Sequence, residues 1–123
     1  MSLQAYQSAA QRAESPRAME YRLFAEVTRS LMEASKLDAA ELGRRMEALD
    51  WNRRLWMTLA GDCADPQNSL PEAARANIIS LYMFVNRHTA EVWAGREEFG
   101  PLIDLNRTIM QGLVPPADRA AAA

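Results

Sequence analysis

Histidine and cysteine occur once each in these 123 residues, as His88 and Cys63, and lysine once, as Lys36. A single cysteine forbids an intramolecular disulfide and a CxxC-type metal or redox site, and it suits a reducing cytoplasm. A lone histidine without a second ligand at metal spacing gives no zinc pattern. The five glycines are scattered, at Gly43, Gly61, Gly95, Gly100 and Gly112, so there is no phosphate-cradling loop. No apolar run approaches the eighteen or so residues of a membrane helix, and the start MSLQAYQSAAQRAE lacks a basic region followed by an apolar stretch. Neither membrane insertion nor export by a cleaved signal is expected. Charge of one sign is lacking too: 14 basic residues against 16 acidic leave a net charge of -2 and a pI near 5.4. Without a basic excess, direct nucleic-acid binding is not expected.

Two-residue alternation of apolar and polar side chains is also missing, and everything periodic has the helical period. The expected class is all-α. With 49% hydrophobic and 24% charged residues the chain is an ordinary globular composition, long enough for one core. The expected architecture is a compact bundle of four main helices plus a short N-terminal one, in a single domain over 1–114 with a frayed tail over 115–123.

The segments follow from their stripes and punctuation. Leu3, Tyr6, Ala10 and Ala13 form one narrow stripe, enough for a short helix that must lean on something else. Ser15 and Pro16 read as a cap and first helical position, opening a helix over roughly 16–35. On it Arg22, Glu26, Arg29 and Glu33 form a ladder of alternating sign, the mark of a solvated face, opposite Met19, Leu23, Phe24, Val27 and Leu31. Asp38 and Glu41 have capping-box spacing before a helix running to about residue 63, whose main face is Leu42, Met46, Leu49, Trp56, Ala60 and Cys63. DCADPQNS reads as a loop. Ser69 and Glu72 repeat the capping-box spacing before a helix to about Trp93, with the seam Ala74, Ile78, Leu81, Val85 and Val92, and Gly95 can end it. Pro101 starts a shorter helix with Leu102, Leu105, Ile109 and Leu113 inward and Asp104, Arg107, Thr108 and Gln111 outward.

Catalysis needs converging titratable groups, and none converge here. His88 lies on the flank of an apolar seam, where a lone histidine is usually structural. Cys63 falls on a buried helical face, where cysteine acts as a small hydrophobe. Enzyme activity and cofactors are therefore not expected. Two charges fall inside apolar arcs, Glu20 and Arg53; they either pair across the helix interface or make only local pairs, Asp50 standing three residues before Arg53.

The remaining surplus is apolar. Trp51, Leu55 and Thr58 point away from Leu42 and Met46, and Phe84 rises from the arc holding Arg87 and Glu91. A central helix flanked by its own bundle neighbours accounts for such a surplus, and so does a partner surface with Trp51, Leu55, Phe84 and Trp93 as contacts and Arg54 and Arg87 as rim. Met32, Met46, Met57, Met83 and Met110 could soften that surface or simply fill the core. Arg44, Arg45, Arg53 and Arg54 around Trp51 would suit stacking on unpaired RNA bases, although neighbouring acids offset them.

Read in order, ESPRAMEYRLF (14–24), ALDWNRRLW (48–56), DCA (62–64), IISLYMFVNRHT (78–89) and PLIDLNRTIMQGL (101–113) resemble the FlaF family, flagellar biosynthesis regulators of alphaproteobacteria. Met19 and Phe84 depart from that pattern, where Thr and Trp would be expected. The resemblance implies a small cytoplasmic, non-enzymatic protein needed for flagellin production and filament assembly. It further implies flagellin as the partner of a secretion chaperone, and joint action with the translational regulator FlbT. By analogy of fold only, the flagellin export chaperone FliS is also a small helical bundle. An adaptor acting on flagellin mRNA, through RNA or FlbT, is the alternative. The oligomeric state stays open.

Overall fold

The computed structural model describes residues 16–113, and the surroundings of side chains from Ala18 to Gly112. The expected N-terminal helix, the Ser15 cap and the tail over 115–123 lie outside the described residues. Among those described, all regular structure is helical: α1 Pro16–Ser35, α2 Leu42–Ala64, α3 Glu72–Trp93 and α4 Gly100–Leu113. α2 is the central element, packed against α1 on one side and α3 on the other, while α4 lies mainly along α1 and touches α3 lightly.

α1 keeps its charged ladder in solvent, with Arg22, Glu26, Arg29 and Glu33 all exposed. Phe24, Val27, Leu31 and Ala34 turn inward, and Thr28 joins them. Met19 and Leu23, expected on the apolar side, are exposed instead. They belong to the same broad arc, but its edge turns past the neighbouring helices. On α2 the buried face is Ala48, Leu49, Asn52, Trp56, Ala60 and Cys63. Leu42, expected on that face, is exposed because it is the first helical residue and projects past the end of the core.

Neither expected capping box forms. The Asp38 carboxylate accepts from the amide of Ala40 two residues on, at 2.9 Å, closing a turn of its own, and α2 begins at Leu42 behind Glu41, whose side chain makes no capping bond. Pro71, not Ser69, precedes α3, again without a side-chain cap. Glu72 in the first turn still complements the positive end of the helix dipole. The loop between α2 and α3 is shorter than expected, because Asp62, Cys63 and Ala64 are helical. Asp65 then turns the chain by accepting from the amide of Gln67 at 2.9 Å.

The end of α3 follows the sequence closely. Gly95 adopts a left-handed φ of 75°, the amide of Arg96 reaches the carbonyl of Glu91 at 2.9 Å, and that of Gly95 reaches Val92 at 3.0 Å. This is a Schellman arrangement that satisfies otherwise orphaned carbonyls. Glu91 and Arg96 then clamp it from outside through two bonds of 2.7 and 3.0 Å.

The centre of the bundle is polar as well as apolar. Trp56 packs edge-on against Phe24, ring centroids 5.8 Å apart at 84°. Its indole N–H donates to Asn106 Oδ1 at 2.9 Å, and Asn106 Nδ2 donates to Asn52 Oδ1 at 2.8 Å. All three side chains are 0% exposed. An indole nitrogen only donates, which fixes the orientation of both amides in turn. The chain of bonds joins α2 to α4, so the helix that lies mainly on α1 is keyed to the helix beneath.

Replacing Asn106 with Ala strands the Trp56 donor and the Asn52 acceptor in a dry interior, and urea unfolding should show a loss of roughly 3 kcal/mol. Gly95→Ala should cost about 1 kcal/mol by the same measurement, since a Cβ at positive φ is strained although the space around it is open.

Candidate functional site

α2 has two differently dressed sides. Arg44, Ala48, Trp51 and Leu55 recur at spacings of four, three and four, so they share a flank, and on α1 Met19, Leu23, Ser30 and Ala34 do the same. These flanks meet. Ser30, Glu33, Ala34 and Leu37 face Arg44, Glu47, Ala48, Trp51 and Arg54 across a cleft of about 380 Å³. A second hollow of about 740 Å³ lies against Met19, Glu20, Arg22, Leu23 and Glu26 at the other end of α1. Met19 and Ala34 are roughly 22 Å apart along α1 at 1.5 Å per residue. The cleft between α1 and α2 is lined by Ala34, Leu37, Ala48 and Trp51, with Glu33, Glu47, Arg44 and Arg54 giving both signs of charge.

Of the six residues proposed from sequence as contacts, three fall on this side. Trp51 and Arg54 line the cleft. Leu55, one turn further, is half-buried and packs against the core from the same flank. The other three sit on α3 and do not join them. Phe84 is half-buried against the core and stacks on His88, centroids 5.4 Å apart, while Arg87 is exposed. Trp93 is exposed beside a separate crevice of about 120 Å³, lined from α2 by Leu42, Arg45, Met46 and Leu49. The expected single surface is thus two surfaces, because Trp51 and Trp93 approach different flanks of α2.

The arginines around Trp51 are mostly committed to the protein itself. Asp50 takes Arg53 at 3.0 Å and Arg54 at 2.9 Å. Arg53 therefore pairs locally, and the cross-helix pair with Glu20 does not form; Glu20 lies exposed at the start of α1. The hydrogen bond from Arg53, with the Arg54 charge beside it, holds the Asp50 carboxyl below its ordinary range despite some desolvation. Arg45 donates to the Leu37 carbonyl at 3.2 Å and lies 5.0 Å above the Phe99 ring, tying two loops to the start of α2. Of the four, Arg44 lies on the cleft rim and makes no such bond among the described residues.

His88 and Cys63 have structural surroundings. His88 is buried and its Nε2–H donates to the carbonyl of Glu98 at 2.8 Å, fixing the loop that leads into α4. Burial pushes the Cys63 thiol above its ordinary pKa, and the Asp62 charge adds to this, the opposite of an activated nucleophile. Among the described residues no group of three His, Cys, Asp or Glu side chains could hold a metal ion, and no helix is long and apolar enough to cross a membrane.

Asn52 and Asn106 were not singled out from sequence, although both stand inside the quoted motifs ALDWNRRLW and PLIDLNRTIMQGL. Their helical-wheel positions beside Trp56 and Leu102 were the available signal.

The family model described as "Flagellar protein FlaF" matches residues 2–113. No curated protein and no solved structure matches the chain.

The two tryptophans of α2 should separate cleanly in stability measurements. Trp56→Ala should cost roughly 3–5 kcal/mol in urea, whereas Trp51→Ala should cost about 1 kcal/mol. For Asp50, whose folded pKa is depressed, the stability it contributes is present above its unfolded pKa of about 4 and is lost as pH falls through the lower folded value. Thermal melts of wild type and Asp50→Asn should therefore differ at neutral pH and converge in that acid window.

Proposed function

The chain belongs to the FlaF family of flagellar proteins, and we propose that it acts without catalysis, as a cytoplasmic chaperone that holds an amphipathic helix of flagellin until export. The observation that carries this reading is the α1/α2 groove, with Trp51 at its floor and a rim of mixed charge. Flagellins polymerise through amphipathic terminal helices, and a cleft between two helices accommodates the apolar face of such a helix. Trp51 supplies a large, rigid anchor of the kind that dominates binding energy at interfaces. Ala34 and Ala48 line the cleft beside it. Glu33, Glu47, Arg44 and Arg54 give both signs to the polar rim, which fixes orientation more than affinity.

The second patch, with Trp93 and Leu42 exposed beside Met46, is where a further partner such as FlbT would dock. Control of flagellin mRNA then follows through that protein contact. A direct RNA site around Trp51 is less well supported, since Arg45, Arg53 and Arg54 already serve protein groups.

Titration of the purified protein with flagellin, with FlbT and with flagellin leader RNA, each at two salt concentrations, tests this. Flagellin should bind with little dependence on salt, and Trp51→Ala should weaken it by roughly thirtyfold, a loss of about 2 kcal/mol. RNA binding that falls steeply with salt, with flagellin silent, reverses the assignment. Sizing the free protein in the same buffers shows whether a second copy takes the groove instead.

A further inference from the structure

We propose that a second copy of this chain docks over the α1/α2 cleft with its α2 antiparallel to the first. Trp51 then stands at the two-fold axis, and Arg54 of each copy sits between Glu33 and Glu47 of the other. That this pairing excludes flagellin rests on the functional reading above, whereas the pairing itself does not.

Arg44, Glu47, Trp51, Arg54 and Thr58 recur at spacings of three, four, three and four, so they form one stripe along α2, roughly 21 Å long at 1.5 Å per residue. Four of the five are exposed and Trp51 is half-buried. Such spacing is that of a seam through which two helices pack. Its charges select the direction. In parallel register, two copies would set Glu47 against Glu47 and Arg54 against Arg54. Turned antiparallel about Trp51, they set Glu47 level with Arg54 twice over, because the two residues stand four before and three after the axis. Arg44 then comes level with Thr58. A two-fold contact repeats each pairing, so a complementary pair acts twice and a repulsive one would too. Trp51, a large and rigid side chain, lies at the centre, where anchors contribute most.

The α1 wall adds to the match. Arg45 is bonded to the Leu37 carbonyl at 3.2 Å, and counting along the two antiparallel helices from that bond places Glu33 within one turn of Glu47. Both line the cleft. The ion pairs among the described residues join Asp50 to Arg53 and Arg54, and Glu91 to Arg96, so neither Glu33 nor Glu47 is taken up by a base. Arg54 of a second copy reaches them without leaving its own Asp50. It meets Asp50 through Nε and its side chain is 57% exposed, while a guanidinium carries four further N–H donors on its two Nη atoms.

Sedimentation of the full chain from low to high micromolar concentration tests the pairing, with 13.8 kDa as the monomer mass. The wild type should rise toward twice that mass. Arg54→Glu and the double variant Glu33→Arg/Glu47→Arg should each raise the dissociation constant by more than about tenfold, because each sets like charges together. Mixed one to one, the two variants should dimerise again, since every contact regains opposite signs, and that recovery also shows both to be folded. Trp93→Ala, beside the separate crevice, should dimerise as the wild type does. A monomeric wild type, variants that fail to recover on mixing, or a dimer that survives Arg54→Glu but not Trp93→Ala overturns the pairing. Flagellin added to the dimer should release monomers as it binds. A dimer that takes up flagellin intact overturns the exclusion alone, and silent flagellin beside a recovering mixture overturns only the functional reading.

Discussion

Three side chains with no access to water, Trp56, Asn106 and Asn52, are strung together by two hydrogen bonds at the middle of the bundle. In an apolar interior each of the bonded groups would be costly without its partner, so loss of one bond leaves a buried polar atom stranded; Asn52 Nδ2 already lacks a partner among the described residues. Trp56 and Asn52 stand four residues apart on α2 and meet one amide on α4. A slide of α4 by a single residue, or a turn about its axis, breaks both bonds. The network therefore fixes height and rotation of α4 against α2. Because α4 lies along α1, where Thr28 meets Met110 and Arg107 meets Met32, α1 is held in the same frame. The apolar packing of Phe24, Leu31, Leu49 and Leu102 supplies most of the driving force, but it does not by itself select one register.

That frame gives α2 its two characters. With Trp56 committed inward, Trp51 is turned toward the cleft that α1 walls off. Asp50 draws Arg53 and Arg54 into local pairs, which shapes the rim and removes two guanidinium groups from competition for other anions. Arg45 does the same at the loop end, between the Leu37 carbonyl and Phe99.

Much of the fold was legible because it is local. Pro16 and Gly95 mark ends that the backbone itself enforces, and the ladder Arg22, Glu26, Arg29 and Glu33 marks a solvated face whatever lies behind it. The failures are equally specific. Asp38 and Ser69 had the spacing of helix caps, yet Asp38 bonded its own turn and Pro71 took the place before α3, since several local bonds compete for one side chain. Asn52 and Asn106 escaped notice because an asparagine on a helix is ordinarily a surface residue, and only a partner fifty-four positions away makes it otherwise. The sequence grouped the candidate contacts Trp51, Arg54 and Leu55 with Phe84, Arg87 and Trp93, which the fold places on another helix and another flank.

The residues alone determined that this chain is helical, where three of its four described helices begin or end, and which charged stripe meets water. These are properties of neighbours three or four positions apart, decided by backbone geometry and side-chain period. Tertiary structure decided which large apolar residues became core and which became groove wall: Trp56 against Trp51, Phe24 against Leu23, Leu49 against Leu42. It also chose Asp50 over Glu20 for Arg53. The physical reason is that burial and pairing are set by surfaces arriving from distant parts of the chain, and a helical stripe specifies its own direction without specifying what will come to cover it.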